Sequence, residues 1–160
     1  NYISGFHARQ RFKDTGEISY FLEAKKRDFL TRLAMRDEHQ LYKSTLPYLK
    51  DLPEIPPKRV VELGSIYLTP FFGGEAILSM GKSEDFARRG LDGIVSAGPF
   101  NCMPSMIVSA LSRELRRRHK NIPYLNIDYD GFEDLSRDQR LSLFMAQVKE
   151  RFQVKERRLL

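Results

Sequence analysis

Gly93-Ile94-Val95-Ser96-Ala97-Gly98-Pro99-Phe100-Asn101-Cys102-Met103-Pro104 is the stretch on which the fold of this chain turns. Residues 93–97 are short, apolar and β-branched at Ile94 and Val95, which reads as a buried strand. From 104 to 119 the apolar positions Met106, Ile107, Ala110, Leu111 and Leu115 recur at helical spacing, and Pro104 suits a first helical turn. The next segments repeat the pattern, with 124–129 reading as a strand and 136–152 as a helix. Strand, helix, strand, helix predicts a parallel sheet, because parallel neighbours need a crossover of helical length to join them.

Upstream, Gly73-Gly74 opens a helix-like segment that runs to residue 89 and stops at Gly90. Before it lie a strand candidate at 59–63 and an apolar, aromatic stretch at 66–72. The expected fold is therefore α/β, a Rossmann-like three-layer subdomain with a mainly parallel sheet. An N-terminal helical extension precedes it. Over 17–37 the positions Ile18, Phe21, Leu22, Phe29, Leu30 and Leu33 trace most of one helical face, and Asp14 with Glu17 has the spacing of a capping box. A second helical stretch over 38–50 is interrupted by Pro47, and Pro53, Pro56 and Pro57 mark a linker. The boundary falls near 51–58, giving a helical extension at 1–52 and an α/β subdomain at 58–160.

With 160 residues, 41% hydrophobic and 30% charged, the composition is that of a globular domain with one core and a helical appendage. No apolar stretch approaches the roughly 20 residues that cross a bilayer, so no membrane is expected as partner, and a signal-peptide pattern is missing. A single cysteine rules out an internal disulfide and points to a reducing cytoplasm. A start at Asn1 reads as a piece cut from a longer protein. The 27 Lys plus Arg against 21 Asp plus Glu give a net charge of +6. The cations crowd two helix ends, Arg113, Arg116, Arg117, Arg118 and Lys120 in one and Lys149, Arg151, Lys155, Arg157 and Arg158 in the other. Cations complement the carbonyl end of a helix dipole, and no aromatic residues interleave with them as a base-stacking platform requires. Solvated helix ends, and no specific nucleic-acid binding, are expected.

Cys102 is the first candidate for chemistry. Between a strand end and a helix start, its sulfur would face the orphan amides and positive dipole end of the helix, which favour a thiolate and bound anions. Against this stands the frequent role of free cysteine as a small buried hydrophobe. Nucleophilic catalysis is the poorer rival, since His7, His39 and His119 lie far from Cys102 in segments that read as polar helix or terminus. One thiolate is also too few for a metal site of about four ligands. The acidic turn Asn126-Ile127-Asp128-Tyr129-Asp130-Gly131-Phe132-Glu133-Asp134 fails as a calcium loop, because with Gly131 in the invariant glycine position the closing acid falls on Arg137. Turn and cap chemistry accounts for it, with Asp134 or Ser136 capping the next helix, and Asp128 or Asp130 as ligand-site groups is the alternative. Gly73-Gly74-Glu75 offers backbone amides at a helix start, but lacks the lysine of a P-loop and the spacing of a dinucleotide turn. Cys102 and Asp128 both follow strand ends, where ligands gather in open α/β sheets.

Three stretches carry a resemblance: Gly74-Glu-Ala-Ile-Leu-Ser-Met-Gly81, 93–104 as quoted, and Ile122-Pro-Tyr-Leu-Asn-Ile-Asp-Tyr-Asp-Gly131. Together, over about residues 60 to 150, they resemble the C-terminal dehydratase-like region of the large activator proteins of (R)-2-hydroxyglutaryl-CoA and other 2-hydroxyacyl-CoA dehydratases, the CoA-substrate-specific enzyme activase family. The resemblance implies a parent that couples ATP hydrolysis to low-potential electron transfer into a dehydratase. It implies an iron-sulfur cluster held by cysteines from separate segments, with Cys102 as the last of them. The helix start near Pro104 would offset cluster charge, and Asp128, Asp130, Gly74 and Glu75 would border the same cleft. Implied partners are the other domains of the parent and a dehydratase subunit. Two departures stand out, Ser105 and Asn101, each at a position where the family commonly has glycine. No ATP-binding motif lies in this chain, so the fragment alone is expected to be inactive and without a bound cluster. The rival expectation is a non-catalytic α/β interaction domain whose basic helix ends dock an acidic partner.

Overall fold

The computed structural model describes residues 2–45, 54–72, 74–132 and 134–159. The chain divides into two compact units, Asn1–Arg59 and Val60–Leu160. In the first, helix α1 (Tyr2–Thr15) folds back through Gly16 onto helix α2 (Ile18–Thr45). Gly16 takes φ of 71°, a left-handed value that glycine adopts without a Cβ penalty. Ala8 and Ala24 are buried, and Phe12 stacks obliquely on Phe21 at 5.3 Å. The two helices expected over 17–37 and 38–50 are one continuous helix as far as Thr45, while Pro47 and the linker residues 51–53 lie outside the described residues. The expected capping box does not form. Gly16 ends α1 two residues beyond Asp14, so Asp14 sits in a last turn, where its carboxylate accepts from Gln10 Nε2 at 3.1 Å. Along α2 the apolar stripe is largely open, with Ile18 72% and Leu22 62% exposed.

The expected strand at 59–63 is instead part of a helix, α3 (Pro57–Gly64). Val60-Val61 has strand-favouring letters, but β propensity is weak against tertiary context. Pro57 pre-sets a first turn, and the buried Val60, Val61, Leu63 and Gly64 press against helix α4 (Ala76–Arg88). That crossing needs glycine twice. A Cβ on Gly64 would lie 2.1 Å from the Ile77 carbonyl oxygen, and one on Gly81 2.0 Å from that of Val60. Between the helices the 66–72 stretch turns over Gly64 and closes in a short 3-10 turn at Pro70–Phe72. At the far end of α4, Gly90 at φ of 80° ends the helix as expected. Its N–H bonds the Ala87 carbonyl and that of Leu91 bonds Phe86, the paired closure of a Schellman motif.

Strand β1 (Ile94–Pro99) and strand β2 (Tyr124–Tyr129) pair in parallel with Ile94 opposite Tyr124 and Pro99 opposite Tyr129. Helix α5 (Met103–Arg118) makes the crossover between them and helix α6 (Arg137–Leu159) closes the chain. Ala76, Met80, Ala87, Ile94, Val108, Leu115 and Ile122 form the core, drawn from α4, β1, α5 and the entry to β2. Gly93 backs onto Phe144 and Val148 of α6. The protein is thus mixed α/β, predominantly helical, with one parallel strand pair among the described residues. None of its described helices is long and apolar enough to cross a membrane.

Candidate functional site

The carboxyl ends of the two strands meet three of the residues singled out from sequence. The Phe100 N–H bonds the Tyr129 carbonyl at 2.9 Å, extending the pairing one step past β1, and the chain then turns, with the Cys102 N–H on the Pro99 carbonyl at 3.2 Å. Asn101 carries the turn at φ of 58°, a left-handed value that asparagine tolerates better than most residues. Cys102 is the N-cap of α5, with Pro104 in the first turn. Its carbonyl accepts from Met106 at 3.0 Å, while its half-buried thiol makes no capping hydrogen bond. Across the sheet Asp128 pairs with Gly98 and is exposed. Paired residues of a parallel ladder share a face, and that face lies under α5, since a Cβ on Gly98 would sit 2.0 Å from Ser105 Oγ. Ser105, one of the two departures from the family pattern, therefore fills the gap against Gly98. Gly74 is close by, with an added Cβ 3.9 Å from Pro104 Cγ.

The remaining two act locally. Glu75 is the exposed N-cap of α4 and makes no side-chain capping bond, while Gly73 lies outside the described residues. Asp130 Oδ1 accepts the Phe132 N–H at 2.9 Å, and Gly131 at φ of 87° makes the turn. Asp134 Oδ1 accepts the Ser136 N–H at 2.9 Å and its hydroxyl at 2.7 Å at the start of α6. Those two bonds, with Arg140 and Arg137 nearby, hold the Asp134 carboxyl below its ordinary value.

One cluster escaped the sequence reading. Glu84, on the inner face of α4 and only 3% exposed, receives the Tyr67 hydroxyl at 2.6 Å and Arg88 Nε at 2.6 Å. His119 Nε2 lies 2.7 Å from the same carboxylate. Burial pushes the Glu84 carboxyl up, but bonds from Tyr67, Arg88 and His119 outweigh it and hold the group below its ordinary value. Tyr67 moves the opposite way, its hydroxyl pushed well up by burial and by the hydrogen bond to the Glu84 carboxylate. Ser83 beside it bonds the Tyr124 hydroxyl at 3.1 Å, tying α4 to β2. The signal was present in the spacing: Glu84 falls in the register of Ala76, Ile77, Met80 and Ala87, a carboxylate on an otherwise core-facing stripe. Every polar atom on it finds a partner, which makes it a structural lock between α4, the 66–72 turn and the end of α5.

No protein-family model, curated protein or solved structure matches this chain.

Proposed function

We propose that this chain is the dehydratase-like part of an activator of 2-hydroxyacyl-CoA dehydratases, a Rossmann-like subdomain that offers Cys102 as one ligand of an iron-sulfur cluster in the cytoplasm. The observation that carries the reading is the place of Cys102. It caps α5 just past the carboxyl end of β1, its thiol makes no capping hydrogen bond, and the exposed Asp128 shares the sheet edge. First-turn amides and the dipole of α5 favour negative charge at that point.

The donor set fits one ligand position and no more. The chain has one cysteine, and no group of three or more His, Cys, Asp or Glu side chains converges among the described residues, so the other ligands come from outside this chain. When bound, such a cluster supplies one-electron transfer at low potential. The work of this chain is to hold a thiolate, to set its direction through the Pro99 to Cys102 turn, and to border the cleft with Asp128 and Gly74. A further support is the sheet itself. Parallel sheets are normally covered on both faces, yet Val95 is 48% exposed in a pair of two strands, a surface that a larger parent would cover.

Iron and acid-labile sulfide measured in the full-length parent test the reading. Cys102→Ser should lower both together while the circular dichroism stays that of the wild type. Iron and sulfide unchanged by the substitution would rule it out.

A further inference from the structure

The two basic stretches, which read from sequence as separate solvated helix ends, meet in one cavity. It measures about 580 Å³ and lies between the turn leaving α5 and the C-terminal half of α6. Its wall carries Arg116, Arg118, Lys120, Arg151 and Lys155 against a single carboxylate, Glu150. Arg118 is paired with Glu114 at 2.9 Å and Lys155 with Asp92. Arg116 and Lys120 have no side-chain partner among the described residues. Arg151 donates to the Lys120 carbonyl at 2.9 Å and the His119 carbonyl at 3.1 Å, while its Nε–H is buried without an acceptor.

Helix-dipole complementarity would be the ordinary account of cations here. It leaves Arg116 and Lys120 unused, because several carbonyls at this end already have backbone or Arg151 donors. Leu115 accepts from the His119 N–H at 3.1 Å, Arg116 from Asn121 at 2.7 Å and His119 from Ile122 at 3.2 Å. The turn is also strained: Lys120 and Asn121 stand in succession at φ of 53° and 54°, a region L residues enter at a cost and hold mostly where the surroundings over-determine it.

We propose that this cavity binds a small ligand carrying a diphosphate group. One phosphate is matched by a single guanidinium fork, whereas here two exposed cations, Arg116 and Lys120, stand at the cavity without acceptors, one for each of two phosphates in contact. The volume lies in the range of small-molecule sites, roughly 300–1,000 Å³, and Pro123, Val154 and Ala87 supply apolar wall for the rest of the molecule. A concave site of this size suits a small ligand better than an acidic protein surface. The cavity sits at the opposite end of α5 from Cys102, so the inference stands apart from the iron-sulfur reading.

Isothermal titration calorimetry of the chain with inorganic diphosphate, ADP and sodium sulfate at matched ionic strength tests it. Diphosphate should bind with measurable heat and sulfate should not. The double variant Arg116→Gln, Lys120→Gln, whose side chains make no packing bonds, should keep its melting temperature and lose about tenfold or more in affinity. ADP binding more tightly than diphosphate would support the site and identify a nucleotide as its source. Binding of diphosphate alone would support the site and make the bare group the determinant. Equal affinity in wild type and double variant, or stronger binding of polyglutamate than of diphosphate, would overturn the proposal, the latter in favour of an acidic protein partner.

Discussion

Replacing Gly81 by alanine should destabilise the α/β unit even though alanine is the better helix former. The propensity gain is about 1 kcal/mol. Against it stands the approach of α3, where the new Cβ would lie 2.0 Å from the Val60 carbonyl oxygen and 2.9 Å from its carbon. A carbon meets a carbonyl oxygen at roughly 3.3 Å, so the helices must part by more than roughly 1 Å. The obstacle is backbone, which no rotamer change can move aside. Overpacking of this kind costs about 1–3 kcal/mol and occasionally more, and Ile77 and Met80, 3% and 0% exposed beside the crossing, would lose contact as it opens. Taking the upper end of that range, the net loss is about 2 kcal/mol, or about 8–16 °C in melting temperature for a unit of this size. Thermal and urea melts followed by near-ultraviolet circular dichroism, which reports Tyr67 and Tyr124, would measure it. Gly64→Ala should behave alike, with its Cβ 2.1 Å from the Ile77 oxygen. Since one displacement relieves both clashes, the double variant should cost less than the two single losses added. Gly90→Ala is the contrast, because nothing lies within 4 Å of its Cβ and only the positive φ opposes it. A Gly81→Ala protein as stable as the wild type would refute the close crossing of α3 and α4.

Glu84→Gln should cost about 1–3 kcal/mol, because it removes the charge that Arg88 and His119 face, and a urea midpoint at pH 7 equal to the wild type would contradict the lock. The pH dependence has a definite sign. The Glu84 carboxyl is held low in the fold, so its stabilisation is complete above the unfolded value of roughly 4.3 and is lost as pH falls through the lower folded value. Glu84→Gln should flatten that acid limb. Tyr67 is held high, so its contribution is complete below the unfolded value of roughly 10 and is lost as pH rises beyond it. Tyr67→Phe should remove the alkaline limb while an unrelated tyrosine substitution should not. At the Cys102 turn, Asn101→Gly should be neutral or stabilising by up to about 1 kcal/mol, whereas Asn101→Ala should lose about 1 kcal/mol. Equal melts for the two would show that Asn101 is not left-handed.

The parts of the fold that were legible are those whose cause is local. Ile94-Val95 between turn residues and the helical spacing from Met106 to Leu115 fixed β1 and α5 to within a few residues, and Gly90 marked the end of α4 because only its own φ was at stake. The α3 helix was hidden for the opposite reason. Val60-Val61 favours a strand when read alone, and what decides otherwise is the fit of Gly64 and Gly81 against carbonyls that belong to the facing helix. Those two glycines lie 17 residues apart in the numbering, and their shared purpose exists only once the helices cross. The site divides along the same line. Cys102 at a strand end before Pro104 was readable because strand, turn and helix follow one another. Glu84 was only half readable: its register with Ala76, Met80 and Ala87 places it on the core face, but its partners Tyr67 and His119 come to it only in the fold. That residues of the two basic stretches line one cavity could not be read from the sequence, because the elements that carry them are distant in the numbering. Arg116 and Lys120 each look like ordinary cations at a helix end, yet the carbonyls of Arg116, His119 and Lys120 are bonded by Arg151 and by the Asn121 and Ile122 amides. What remains is the exposed pair Arg116 and Lys120, and it is on this pair that the proposed diphosphate site rests.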